Sequence, residues 1–206
     1  SDHPNDLTFR DTYFNSTFGE TDYIMSIPTN ATGQGKVDAL LSTYVPTCKL
    51  AVLLVNDPVV GGSDNGGKTA IASVSAALRD FVVHESGHVL AGLGDEYTNF
   101  VDFPNLEEPN TTQTTNFAAI KWKAWINTNT TPLPTPPTDS FLHTVGLFEG
   151  AHYHPTGWYR PKINCRMGNN GVGFCEVCSE ALVLSIYRKV RPVDSFTPAT
   201  TNFSVT

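Results

Sequence analysis

The chain alternates short apolar runs with polar and glycine-rich stretches, and the spacing of its apolar positions predicts an order of elements. Val37, Leu40 and Leu41 recur at helical spacing between Lys36 and Tyr44, and Pro46 closes the run, so a short helix is expected there. Leu50 to Val55 is continuously apolar and bounded by Asn56-Asp57-Pro58, the pattern of a strand covered on both faces. The glycine-rich stretch from Gly61 to Gly67 reads as a loop, because so much glycine costs backbone entropy inside an element. Ile71 to Val74 then alternates like a short strand. With Ser75 as N-cap, the chain reads as helix from Ala76 to about Gly92, and Leu78, Phe81, Val82, Val89 and Leu90 make it apolar on most faces. Val177 to Val190 predicts a closing helix with Arg188 and Lys189 in its last turn and Pro192 beyond it. Residues 1–35 show no sustained period and read as irregular packed structure. The Thr- and Pro-rich stretch from Asn127 to Ser140 reads as an extended surface loop.

A helix apolar on most faces is buried, so the polar residues inside it need an explanation. They are His84, Glu85 and His88, the pattern H-E-x-x-H. On a helix, positions i and i+4 share a face, so both imidazoles can reach one zinc ion while Glu85 addresses a water on that metal. Zinc would lower the water's pKa and polarise a scissile carbonyl, and the carboxylate would carry the proton to the leaving amine. The bland alternative, a buried hydrogen-bonded histidine pair, leaves Glu85 unpaired in an apolar helix, which is expensive.

Gly92-Leu93-Gly94-Asp95 follows, placing a glycine where the helix must turn and a carboxylate three residues later. Metzincins end the zinc helix at a glycine and take the third ligand just beyond, in H-E-x-x-H-x-x-G-x-x-H. Here the glycine comes one residue later and Asp95 occupies the ligand position. Glu149 is its rival, as the distant glutamate of a thermolysin-like arrangement, and His143, His152 and His154 are fallback ligands. Met167, in Asn164-Cys165-Arg166-Met167-Gly168, is placed as the methionine of a Met-turn beneath the metal.

Composition narrows the rest. The chain has 206 residues, 40% of them hydrophobic, and a net charge of −7 without a basic run, which argues against nucleic acid and against an anionic membrane surface. No apolar run approaches the roughly 20 residues of a spanning helix. Sequons begin at Asn15, Asn30, Asn110, Asn129 and Asn202, which favours a secreted, extracellular glycoprotein. The cysteines, Cys48, Cys165, Cys175 and Cys178, admit disulfides or a four-thiolate zinc site. The secretory reading favours disulfides, with Cys165 bonded to Cys175 or Cys178.

The blocks Val55-Asn56-Asp57 with Gly61-Gly62, His84-Glu85-x-x-His88 with Gly92-Leu93-x-Asp95-Glu96-Tyr97, Gly146-Leu147-Phe148-Glu149-Gly150-Ala151-x-Tyr153, Tyr159-Arg160-Pro161, and Cys165-x-Met167 with Phe174-Cys175-x-Val177-Cys178 resemble the M64 family of metallopeptidases, the group named for an immunoglobulin A peptidase. The resemblance implies a metzincin-like α/β fold: a twisted mixed sheet, an active-site helix and a smaller C-terminal lobe. It also implies secretion and zinc endopeptidase activity on protein or peptide substrates, with His84 and His88 as ligands and Glu85 as base.

The expected organisation is one catalytic domain over 1–206, with an upper lobe at 1–94, a lower lobe at 95–192 and a loose tail at 193–206. Within it Ile71 to Val74 would be the edge strand above the cleft, and Tyr153 and Tyr159 would be candidates for binding the oxyanion. Ser1 aligns inside the family's domain, so an N-terminal strand and helix are expected to have been removed by processing or to be held in place as a separate fragment. The competing reading is a catalytically silent binding protein that keeps the zinc scaffold; the presence of Glu85 favours the enzyme.

Overall fold

The structure, a computed structural model, describes residues 12–18, 25–65, 67–99 and 106–190. Its described elements form a mixed α/β arrangement: β1 (Thr17–Phe18), β2 (Met25–Ser26), α1 (Gln34–Tyr44), β3 (Ala51–Val55), β4 (Gly62–Asp64), β5 (Thr69–Ser73), α2 (Leu78–Ala91), β6 (Phe148–Ala151), β7 (His154–Arg160) and α3 (Glu176–Val190). The tail from 193 and Asn202 lie outside the described residues. No described helix is long and apolar enough to cross a membrane.

The upper sheet has the order β3-β5-β4, with β3 parallel and β4 antiparallel to β5. This corrects three expectations. The apolar run Leu50 to Val55 is not covered on both faces: as an outer strand, β3 buries Val55 while Val52 and Leu54 remain 40% and 54% exposed. The strand buried along its whole length is β5, so Ile71 is central rather than at the edge. The sheet's other edge is β4, from within the glycine-rich stretch expected to be a loop. Glycine belongs in this strand because backbone and helix approach closely here: a Cβ on Gly62 would come within 2.6 Å of the Phe81 ring and 3.3 Å of Glu85 Oε1. Met25, Ile27, Val37, Val55 and Ile71 form a small core behind the sheet, and β1 pairs with β2 within the stretch read as irregular.

The main helix α2 begins at Leu78, later than expected, and Ser75 supplies no side-chain cap. It ends as the sequence indicates. Gly92 takes a left-handed conformation, φ 63°, and its N–H donates to His88 O at 2.8 Å, a termination that glycine adopts without the penalty of a Cβ. Only Glu85 and Gly87 of α2 are buried, so the helix is less enclosed than its apolar content suggests.

After Gly92 regular structure is sparse, yet the larger core is there, built on Leu93, Ile120, Trp122, Ile126, Val145, Leu147, Cys165, Met167 and the first turn of α3. Backbone groups in this region are satisfied by irregular pairings. Trp122 Nε1 donates to Gly146 O at 2.8 Å, Thr135 N to Leu147 O at 2.8 Å, and Leu147 N to Thr135 Oγ1 at 2.9 Å. The Thr- and Pro-rich stretch is therefore anchored through buried Thr131 and Thr135 rather than lying wholly on the surface. α3 packs along α2, and Lys189 Nζ donates to the Leu90 carbonyl at 2.8 Å near the end of α2.

Candidate metal centre

His84 and His88 sit one turn apart on α2, and each ring is fixed by its far nitrogen. His84 Nδ1 donates to Arg166 O at 3.0 Å and His88 Nδ1 to Leu93 O at 2.6 Å. With a proton committed there, each ring turns its Nε2 inward, and the two approach each other to 3.1 Å. The left-handed turn at Gly92 supplies the Leu93 carbonyl and then brings Asp95 back, placing Oδ1 at 2.9 Å from His84 Nε2 and 3.4 Å from His88 Nε2. Asp95 is 4% exposed, and Oδ1 receives no well-directed hydrogen bond. Its other oxygen, Oδ2, accepts the hydroxyl of Tyr153.

The floor is made by Met167, fully buried, with its sulfur 3.0 Å from where a Cβ on Gly87 would lie. Gly87, between the histidines in sequence, is thus a close approach of helix to turn. Around Met167 the turn is fastened to the neighbouring segments. Glu96 N donates to Met167 O at 2.8 Å, Arg166 N to Gly173 O at 2.9 Å, and the Arg166 guanidinium pairs with Asp80 in the first turn of α2.

The opposite wall comes from a two-residue β-hairpin turn between β6 and β7. Its residues, His152 and Tyr153, have φ of 49° and 64°, where such turns normally carry asparagine or glycine. The surroundings impose the conformation: His152 N donates to Asp95 O at 2.8 Å and Tyr153 N to Tyr97 O at 3.0 Å. Backbone strain of this kind persists only where neighbouring bonds over-determine it, and here they aim the Tyr153 hydroxyl at Asp95. Tyr97, which sequence reasoning did not single out, stacks on His84 with ring centroids 6.4 Å apart and meets Tyr153 edge-on at 5.3 Å. Its place in the block Asp95-Glu96-Tyr97 was the available signal.

Other expected site residues lie elsewhere. Glu149 is exposed on β6, not on a helix, and accepts the Gly157 N–H of β7 at 2.9 Å. Tyr159 pairs with Glu149 across the hairpin and packs on the lower core. His143 is exposed. His152 is stacked on Trp158 at 4.0 Å and bound to Glu108 through Nδ1 at 3.0 Å, and His154 Nδ1 donates to His152 O at 2.5 Å; none of the three joins the His84–His88 pair. Asn110 is fully buried, donating to Glu96 Oε1 at 2.8 Å and accepting from Gly94 N at 2.7 Å, so it has no room for a glycan. Asn30 and Asn129 are exposed, and Asn15 is half-buried.

The cysteines are also corrected. All four are free thiols, and no disulfide occurs among the described residues. Cys48 stands apart, its thiol directed to Leu50 O at 3.1 Å, while Cys165, Cys175 and Cys178 gather around Glu96.

Electrostatically, the histidines and Asp95 are tightly coupled. Burial alone would lower His88, but the Asp95 carboxylate outweighs it and pushes the imidazole up to about 10. Asp95 is held well below the carboxylate range despite its burial, by His88 and His84. Glu85, also buried, is raised to about 7 because burial disfavours its charge more than the histidines favour it. Tetrahedral bonds of 2.0–2.1 Å would separate donor atoms by about 3.3 Å, and the observed separations of 3.1, 2.9 and 3.4 Å match this. The two Nε2 atoms and Asp95 Oδ1 therefore fit one metal ion, which would take the place of the protons shared among them, with Glu85 grouped beside the histidines.

A helix-borne histidine pair with an adjacent buried glutamate defines a metallopeptidase class of site. A family model described as IgA peptidase M64 matches residues 6–144 and 137–186, and the chain belongs to that peptidase family. No curated protein matches the chain. Members of this family are metallopeptidases, and a peptidase acts on protein or peptide substrates.

Proposed function

We propose that the protein is a secreted zinc endopeptidase in which His84, His88 and Asp95 hold the metal and Glu85 is the general base. The observation that carries this reading is the convergence of His84 Nε2, His88 Nε2 and Asp95 Oδ1 at spacings of 2.9–3.4 Å, with the buried Glu85 carboxylate beside them. When bound, zinc supplies Lewis acidity toward a carbonyl oxygen and acidifies a water.

The chain's own residues supply the rest. Glu85, buried beside the histidines, is placed to accept the water's proton and return it to the leaving amine. The carbonyls of Arg166 and Leu93 keep each histidine in the tautomer that binds metal through Nε2, and the Tyr153 hydroxyl orients Asp95 rather than awaiting an oxyanion. Met167 beneath Gly87 plays the part of a Met-turn, supporting the helix from below. The strand that reaches the base is β4, through Gly62, which makes its edge the place for an extended peptide to lie. The exposed sequons at Asn30 and Asn129 support the secretory assignment.

Exhaustive chelation should abolish hydrolysis of a mixed protein substrate, and added Zn²⁺ should restore it, while serine- and cysteine-directed reagents have no effect. Peptidase activity that survives complete metal removal would overturn the assignment.

A further inference from the structure

Glu96 follows Asp95 directly but points into a different set of donors. Its carboxylate lies among Cys165, Cys175 and Cys178, all four residues buried, with one donor atom from each lying within 4.8 Å of the others. Cys178 Sγ is 3.4 Å from Glu96 Oε1 and 3.6 Å from Cys165 Sγ. Glu96 is 1% exposed; Oε1 is engaged by Asn110, whereas Oε2 is buried without a partner. A buried carboxylate oxygen left unpaired amid three thiols is costly unless something unseen satisfies it.

We infer that Glu96, Cys165, Cys175 and Cys178 form a second, structural zinc site, separate from the histidine centre. Zn–S bonds of about 2.3 Å in a tetrahedron would separate sulfurs by about 3.8 Å, whereas a disulfide holds them at about 2.05 Å. The observed 3.6 Å is close to the metal spacing and far from a disulfide. Cys175 and Cys178 form a C-x-x-C pair at the start of α3, where the helix dipole favours thiolates. Cys165 comes from the turn carrying Met167, and Glu96 from the segment carrying Asp95, so the ion would tie three elements at one point.

On binding, each thiol releases its proton to solvent as its sulfur takes the metal, with no change of oxidation state. Three thiolates and a carboxylate around Zn²⁺ leave two negative charges. The Arg160 guanidinium lies beside them, donating to the Glu96 carbonyl. The set is closed, with four protein donors and no position left for water, which marks a structural rather than a catalytic ion.

The inference stands independently of the peptidase reading and is tested on the purified full chain. Zinc analysis should give at least one ion per chain in His88→Ala, whose histidine centre is disabled, and a chain of this variant without zinc would overturn the second site. Exchange of Co²⁺ into this variant or the wild type should produce a thiolate-to-cobalt charge-transfer band, which the sulfur-free histidine centre cannot generate. Cys178→Ser should lose that band. Should this variant fail to fold, alkylation of the native wild type decides: Cys165, Cys175 and Cys178 should be protected until metal is removed under denaturing conditions. Cobalt binding without a thiolate band, or a disulfide between any two of the three in non-reduced peptide maps, would overturn the second site.

Discussion

The chain before Gly92 and the chain after it solve the same problem in opposite ways. Before Gly92 most of the described residues lie in regular elements over a small core, and α2 delivers two imidazoles by its own periodicity. Among the described residues after Gly92 there is one hairpin, one α-helix and a few short turns, yet the buried cluster is larger and the residues facing the metal centre are set by specific cross-links. Asp95 is held by Tyr153, Met167 by the Glu96 N–H and Gly87, and the His152–Tyr153 turn by Asp95 and Tyr97 backbone carbonyls. Periodic structure positions donors cheaply on one face; bringing a third donor back from another direction requires an irregular segment fixed by individual hydrogen bonds.

The contrast can be broken at each end. The largest effect is expected at Glu85, the buried carboxylate of the regular half. Glu85→Gln keeps shape and removes the base, so turnover should fall by about 10²–10⁴-fold while metal content is unchanged; full activity in this variant would remove Glu85 from the chemistry. Next comes the irregular half's own donor. Asp95→Ala removes a charged ligand and should weaken metal affinity by more than the ~10–100-fold typical of supporting residues. Tyr153→Phe, which removes only the hydrogen bond to Oδ2, should fall within that range, and Glu149→Ala should leave affinity intact. Equilibrium competition against a calibrated chelator ranks the three, and an emptied site in Glu149→Ala would reverse the assignment. The smallest effect tests the junction of the halves: Gly87→Ala drives a methyl against Met167, Phe174 and Leu93 at 3.0–3.3 Å and should cost about 1–3 kcal/mol in denaturant unfolding. A neutral substitution there would mean that Met167 is not packed beneath the helix.

The same contrast explains what could be read from the sequence. The end of α2 was legible because a glycine followed a long helical pattern, and α3 because its apolar positions, basic last turn and following proline agree. The family was legible from ordered blocks of residues, and the family match agrees. β4 was hidden because its glycine serves a close approach to Phe81 and Glu85, which no local pattern reveals. β3 misled because a continuous apolar run does not say whether its strand lies at the centre or edge of a sheet. The hairpin was missed because His152-Tyr153 lacks the usual turn residues; its conformation is imposed by Asp95 and Tyr97, distant in sequence. The cysteines were assigned by compartment, whereas the fold places three of them around a buried glutamate. Asn110 matched a sequon but is held in the interior by its pairing with Gly94 and Glu96.

The central claim is that α2 and the turn at Gly92 hold one metal between them. Anomalous diffraction at the zinc edge from crystals of the metal-loaded chain tests it most directly. The account predicts a peak bonded to His84 Nε2, His88 Nε2 and an Asp95 carboxylate oxygen at about 2.0–2.2 Å, with Glu85 beside it and unbonded. Metal bound instead through Glu149, His152 or His154, or a histidine pair without any peak, would contradict it.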